Sequence, residues 1–169
     1  RDKGHTMRKK KIIILGGGGH AKSVIGTIQR IPEYTIVGFL DDDTSKKEIL
    51  GIHNIGRLFP INKTWTKYLV VLGIGHVGDV IFRQKVIAEY KATGFVFETI
   101  CASSSIISPY ARMGKGIFIA EGVIIQPDTV IKDYSIINTG SSIDHDCIIG
   151  TGVHIAPGVT LSGAVKVDD

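Results

Sequence analysis

Two hydrophobic periods divide this chain. In the first part, short apolar runs alternate with helical spacing. Lys11-Ile12-Ile13-Ile14-Leu15 has the length and β-branched content of a buried strand and runs straight into Gly16-Gly17-Gly18-Gly19-His20-Ala21. Ala21, Val24, Ile25 and Ile28 then recur at helical spacing until Pro32 breaks the pattern. Residues 35–40 form the next predicted strand and end in Asp41-Asp42-Asp43. Residues 68–72 form a third and lead into a second glycine turn, Gly73-Ile74-Gly75-His76. The spacing predicts a helix over 77–90, and residues 95–97 close the set. Strand, glycine turn, helix, strand is the order of a small Rossmann-like parallel sheet with right-handed crossovers.

From Ile107 the period changes to six. Met113, Ile119, Ile125, Ile131, Ile137, Ile143, Ile149, Ile155, Leu161 and Val167 continue the step without a break. Four residues after each comes a small or β-branched residue, as at Ala111, Val123, Thr129, Ser135, Ser141 and Cys147, with Gly, Pro or Asp between. One inward aliphatic residue in every six describes a parallel β-helix with three short strands, hence 18 residues, per coil. The expected fold is therefore an α/β Rossmann-like sheet over 7–100 followed by a left-handed parallel β-helix of hexapeptide repeats over 101–169.

Composition agrees with this division. Isoleucine outnumbers leucine 28 to 7, which favours pleated structure and excludes an all-helical bundle. Arg1 to Thr6, ahead of Met7, reads as a non-native remnant, and without it the formal charge of +4 falls to +3. The run Arg8-Lys9-Lys10-Lys11 reads as the solvated start of a strand rather than a nucleic-acid patch. Apolar runs such as Ile12 to Leu15 are only four or five residues long, so no membrane span is expected. Cys101 and Cys147 stand far apart, which suggests neither a zinc site nor a disulfide and fits a reducing cytoplasm. The repeat runs to the last residues without a capping pattern, so a truncated chain or a partner over the open end is expected.

The first turn fits G-x-G-x-x-A through Gly16, Gly18 and Ala21, with the acidic cluster about 25 residues on. Backbone N–H groups of such a turn and the start of the following helix approach a phosphate, and the acid meets a ribose or base. A tight connection and a solvated acidic loop are the alternatives. Three or four strands suit half a dinucleotide better than NAD.

The G-G-G-G-H-A turn joined to hexapeptide repeats resembles the sugar acyltransferases of the sialic acid O-acetyltransferase (NeuD) type, which include UDP-4-amino-sugar N-acetyltransferases. The likeness runs from Met7 to the end and is narrowest over Ile137-Asn138-Thr139-Gly140-Ser141-Ser142-Ile143-Asp144-His145-Asp146-Cys147 and His154-Ile155-Ala156-Pro157-Gly158. It implies acetyl-CoA as donor, His145 as general base and Asp146 as its support, while by chemistry alone either Asp144 or Asp146 suits the fixing of the imidazole tautomer. It also implies that Asn138, as a catalytic residue, and His154, as an acetyl-CoA-binding one, line the same cleft. Gly16, Gly17, Gly18 and His20 would hold the nucleotide or sugar end of the acceptor, with Asp41 and Asp42 at its base or ribose. Trimers formed through the β-helices, with sites between subunits, are implied as well.

Spacing adds to this. His145 is the third residue of its hexad and points outward, while His154 lies half a coil later on nearly the opposite side. The two are expected to meet only across a groove between subunits. Gly163 lies one full coil after His145, where its N–H suits a thioester oxygen gaining negative charge. No metal is needed, because coenzyme A leaves readily as a thiol. N-acetylation of a UDP-linked 4-amino sugar is the leading expectation, O-acetylation of sialic acid the second, and a non-catalytic nucleotide-binding or scaffold protein the third. His53 is expected to be structural, and Trp65 and Tyr68 to pack against the sheet.

Overall fold

The computed structural model describes residues 9–75 and 80–169. Residues 1–6 with His5, His76 and the first three residues of the helix expected at 77–90 lie outside them.

Strand β1 (Lys10–Leu15) is central. It pairs in parallel with β2 (Tyr34–Leu40) and with β5 (Leu69–Leu72), and β2 pairs in parallel with β4 (Ile52–Gly56). A short β3 (Glu48–Ile49) adds an antiparallel edge, giving the order β3-β4-β2-β1-β5. Helix α1 (Gly19–Ile28) crosses between β1 and β2, and α2 (Val80–Ala92) follows β5. Alternation along β1 sends Ile12 and Ile14 to one face, against Ala21, Val24, Ile25 and Ile28 of α1. Ile13 and Leu15 go to the other face, against Val86 and Tyr90 of α2.

Two details differ from the sequence expectation. The β3–β4 hairpin turns at Leu50-Gly51, both with positive φ (49° and 79°), so it lacks the Asn-Gly or Asp-Gly signal that marks such turns. The strand expected over 95–97 is a single parallel bridge from Val70 to Phe97. His53 sits exposed in that hairpin, 3.5 Å from Glu48 Oε2. Trp65 and Tyr68 lie against the α2-side core, their rings 5.9 Å apart.

The second part is a left-handed parallel β-helix. Its two-residue strands run from β6 (Ile100–Cys101) to β17 (Lys166–Val167) and stack into three four-stranded parallel sheets. Register advances by 18 residues per coil, as in Ile100↔Phe118 and Ile136↔His154. The second residue of each strand is the ladder position, so the ladder starts one hexad earlier than the periodicity suggested, at Cys101. Ile119, Ile137, Ile143 and Ile149 are wholly buried. So are the polar or small inward residues Thr129, Ser135, Ser141 and Cys147. Each of these four donates to the carbonyl 15 residues on: Asp144 (2.9 Å), Gly150 (2.7 Å), Ala156 (2.9 Å) and Ser162 (3.2 Å). Cys147 is thus a core residue with a weak S–H hydrogen bond, its chemistry otherwise idle.

Between strands the chain turns through a left-handed residue at every sixth position from Gly116 to Ala164, with φ between 60° and 70°. Glycine fills five of these corners, and Asp128, Tyr134, Asp146 and Ala164 fill the others.

The first residue of each strand points outward. On the sheet containing β6, β12 (Ile136–Ile137) and β15 (His154–Ile155), the outward column is Ile100, Phe118, Ile136 and His154. Its three apolar members share one core with α1 and β1. Thr27 of α1 and Arg30, two residues past its end, also bond Glu121 (2.7 and 2.9 Å). The apolar column stops at His154, where that cover gives way to a cleft.

Candidate functional site

The cleft holds about 670 Å³ between the sheet and the β-helix. Gly16, Gly17, Gly18, His20, Asp41 and Asp42 line one side, Gly73 to Gly75 the floor, and Asn138 and His154 the other side. The two glycine loops touch. A side chain on Gly16, at φ 95°, would strike Ile74, and one on Gly17 would come within 2.7 Å of the Phe39 ring. Gly18 caps α1 with no side-chain hydrogen bond, and the first turn carries no acid. The positive end of the helix therefore faces the cleft, as anion binding requires.

The two acids do different things. Asp41 is nearly buried, its Oδ2 accepts the Gly17 N–H (2.7 Å) and its Oδ1 the Asp43 N–H (2.8 Å), with Lys46 Nζ 3.3 Å away. It ties the glycine turn to the end of β2. Asp42 accepts the Phe59 N–H through Oδ1 (3.2 Å) beside Arg57 (3.7 Å) and lines the cleft without tying down the glycine turn.

His20 is largely buried, edge-on to Phe118 with ring centroids 5.2 Å apart. Burial, then the charge of Arg83 and the nearby His154, lower its pKa to about 4, so it is neutral at pH 7. Among the described residues its Nε2 has no hydrogen-bond partner, although it is shielded from bulk water. A buried imidazole nitrogen left open in a polar cleft fits a ligand hydroxyl or amine. Across from it, Asn138 Nδ2 lies 3.1 Å from His154 Nε2. Asn138 Oδ1 takes the Thr139 N–H (2.8 Å), which orients the amide nitrogen as donor and the His154 nitrogen as acceptor.

His145, Asp146 and Gly163 are elsewhere. His145 lies between β13 (Ser142–Ile143) and β14 (Ile148–Ile149), away from the sheet that carries Asn138 and His154. Its Nδ1 is 2.7 Å from Asp146 Oδ2, and its backbone N–H donates to Asp144 Oδ1 (2.8 Å). Asp146 makes this contact from a left-handed corner (φ 61°), a conformation aspartate accepts more readily than most residues. The Asp146 hydrogen bond, with the Asp144 charge behind it, raises the pKa of His145 above the ordinary histidine value. The imidazole lies against Gly163, where a Cβ would come within 2.6 Å of the ring. The side chain is 60% exposed.

The structure thus gathers eight expected residues in one cleft and holds three as a separate dyad with a glycine rest. Asn138 goes with His154, not with His145. Sequence reasoning missed Phe118, Lys46 and Arg83, whose positions in an apolar ladder, an acidic loop and a helical pattern carry no local signal. Among the described residues no group of three or more His, Cys, Asp or Glu side chains is arranged to hold a metal ion. No described helix is long and apolar enough to cross a membrane.

A glycine-lined cleft built onto a left-handed β-helix with an exposed His–Asp pair defines a hexapeptide-repeat acyltransferase. Residues 11–90 match the PglD N-terminal domain, and residues 128–163 match the bacterial transferase hexapeptide (six repeats). GDP-perosamine N-acetyltransferase from Escherichia coli O157:H7 is 28% identical over 162 residues, covering 92% of this chain and 72% of that protein. PerB from Caulobacter crescentus, solved with CoA and GDP-perosamine, superposes with a TM-score of 0.81 at 33% identity, over 92% of this chain and 73% of that one. The acetyltransferase domain of PglB from Neisseria gonorrhoeae FA1090, solved with acetyl coenzyme A, gives 0.82 at 29% identity, over 94% and 76%. The chain belongs to the NeuD/PglD family of sugar acyltransferases.

Proposed function

We propose that this protein transfers the acetyl group of acetyl-CoA to the amino group of a nucleotide-activated amino sugar, with His145 as general base. The observation that carries the reading is the His145–Asp146 pair. With Nδ1 donating to Asp146 at 2.7 Å, Nε2 is the free basic nitrogen, on an exposed ring backed by Gly163.

The sugar nitrogen attacks the thioester carbonyl carbon, the new C–N bond forms and the C–S bond breaks. The proton leaving nitrogen passes to His145 Nε2 and from there to the departing thiolate. Asp146 stabilises the imidazolium between those transfers. The Gly163 N–H supports the carbonyl oxygen as it gains charge. The glycine turn and the start of α1 hold the acceptor's diphosphate, Asp42 reads its ribose or base, and His20, Asn138 and His154 contact the sugar.

His145 and the cleft lie on opposite sides of one chain. The reading therefore requires a neighbour's His145 at each cleft, and a homotrimer through the β-helices supplies it. Such an enzyme works in the cytoplasm, where acetyl-CoA is available. The family resemblance favours a UDP-linked 4-amino sugar. The GDP-perosamine acceptor of PerB and the E. coli relative favours a GDP-linked one instead.

The test follows free thiol with acetyl-CoA and each acceptor in turn. Release with a nucleotide-linked amino sugar, abolished in His145→Ala, is the expected result. Release only with sialic acid, or unchanged rates in His145→Ala, would sink the corresponding part of the proposal.

A further inference from the structure

Arg83 of α2 is the least expected charge in the molecule. Its side chain is 2% exposed, and no carboxylate lies within ion-pairing distance of it among the described residues. Instead the guanidinium spends its donors on two carbonyls. Nε reaches Ile74 O (3.2 Å) on the cleft floor, and Nη2 reaches Tyr134 O (2.7 Å) at a left-handed corner of the β-helix. Nη1 lies 3.8 Å from where a side chain on Gly152, the next corner in the same column, would begin. Burial lowers its pKa only to about 10, so it is charged at pH 7. A cation buried without a counter-ion is costly, and an apolar residue of similar size would fill the site at lower cost. Packing alone does not account for arginine here.

We infer that Arg83 is a positioning residue for acyl transfer: its fork fastens the Gly73–Gly75 floor to the Tyr134 corner and so sets the spacing between His20 and the Asn138–His154 pair. The connections are short in both directions. On one side the floor packs directly on His20, since a side chain at Gly75 would come within 3.3 Å of His20 Cβ. On the other, Tyr134 and Gly152 precede Asn138 by four residues and His154 by two, through a rigid coil of the β-helix. A lysine can supply the charge here but not the two-directional fork.

A second consequence is electrostatic. The groups facing His20 are Arg83 from α2, His154 from β15, and Asp41, Asp42 and Lys46 around the same cleft. Arg83 is the only permanent cation among those that lower the His20 pKa. It adds to the larger effect of burial in keeping the imidazole neutral, hence able to accept a hydrogen bond from an acceptor amine or hydroxyl. This inference rests on the proposed acetylation for its kinetic readout, but not for its spectroscopic one.

The experiment compares Arg83→Met and Arg83→Lys in the full chain. Histidine-ring NMR titration without substrates is read beside kcat and KM for the nucleotide-sugar acceptor. In Arg83→Met the His20 titration should move up from about 4, and acceptor kcat/KM should fall about tenfold or more with acetyl-CoA KM unchanged. Arg83→Lys should restore the low His20 titration without restoring acceptor kcat/KM, and it keeps the test open if the methionine variant does not fold. Normal acceptor kinetics and an unmoved His20 titration in either folded variant would overturn the inference. If wild-type protein acetylates no amino sugar, the proposed function fails, and the titration alone still decides whether Arg83 controls His20.

Discussion

Replacing Gly163 by alanine asks how closely the His145 ring must be held. The backbone at Gly163 is outside the left-handed region, so the substitution carries no conformational penalty of its own. The new methyl would lie 2.6 Å from His145 Cε1 and 2.7 Å from Nε2. Non-bonded carbons settle at about 3.5–4.0 Å, so the ring has to move by roughly 1 Å. It can do so freely, because it faces solvent, and stability should change by less than about 0.5 kcal/mol. Activity should not be spared. A displacement of about 1 Å in a reacting group costs up to about 100-fold, so kcat should fall about 10- to 100-fold. Alanine retains the backbone N–H, so its support of the thioester oxygen is unaltered and the loss reports ring placement alone. Thiol release at saturating acetyl-CoA and acceptor measures kcat, and a thermal melt checks the fold. A Gly163→Ala protein with near-wild-type kcat would refute the assignment of His145 Nε2 as the working base.

Three further outcomes are expected. In Asp146→Asn the carboxylate that raises the His145 pKa is gone; because the base must be neutral, the acidic limb of the pH–rate profile should shift to lower pH while its plateau drops, and an unmoved limb would count against the dyad. Asp41→Ala leaves the Gly17 and Asp43 N–H groups without their acceptor, at about 1–3 kcal/mol each, so urea denaturation should reveal a large loss of stability, whereas Asp42→Ala, which removes the acceptor of the Phe59 N–H alone, should raise the acceptor KM with a smaller loss of stability. Ala164→Gly should raise stability by about 0.5–1 kcal/mol in the same assay, because alanine there is held at φ 60°, and no gain would mean that the corner is unstrained.

How much of this was legible depends on the distance over which each signal acts. The β-helix is a local code. Each hexad supplies its own inward aliphatic and its own corner, so Ile119 to Ile155 could be read without knowing what they touch. The same holds for Gly16 to Ala21, where strand, turn and helix are contiguous. The Leu50-Gly51 hairpin escaped because a leucine occupies a positive-φ position that turn chemistry normally gives to Asn, Asp or Gly. Asp41 and Asp42 are neighbours of identical type, and only the fold gives one to the Gly17 N–H and leaves the other at the cleft. Arg83 escaped for a similar reason. Along a helix, an arginine in the pattern reads as solvated, and nothing local reveals that Ile74 and Tyr134 will bring two carbonyls to it.

The sequence by itself determined the parallel sheet, the β-helix and the outward position of His145, because these follow from local periods along one chain; that Asp146 rather than Asp144 meets the His145 ring was decided by the fold. Only the tertiary structure decided which face of the β-helix the sheet covers. That cover follows the outward column Ile100, Phe118 and Ile136, all buried in one core with α1, and it ends at His154. The cleft forms where the apolar column stops, bringing His20 to Asn138 and His154, each more than a hundred positions further along the chain, and leaving His145 on the far side.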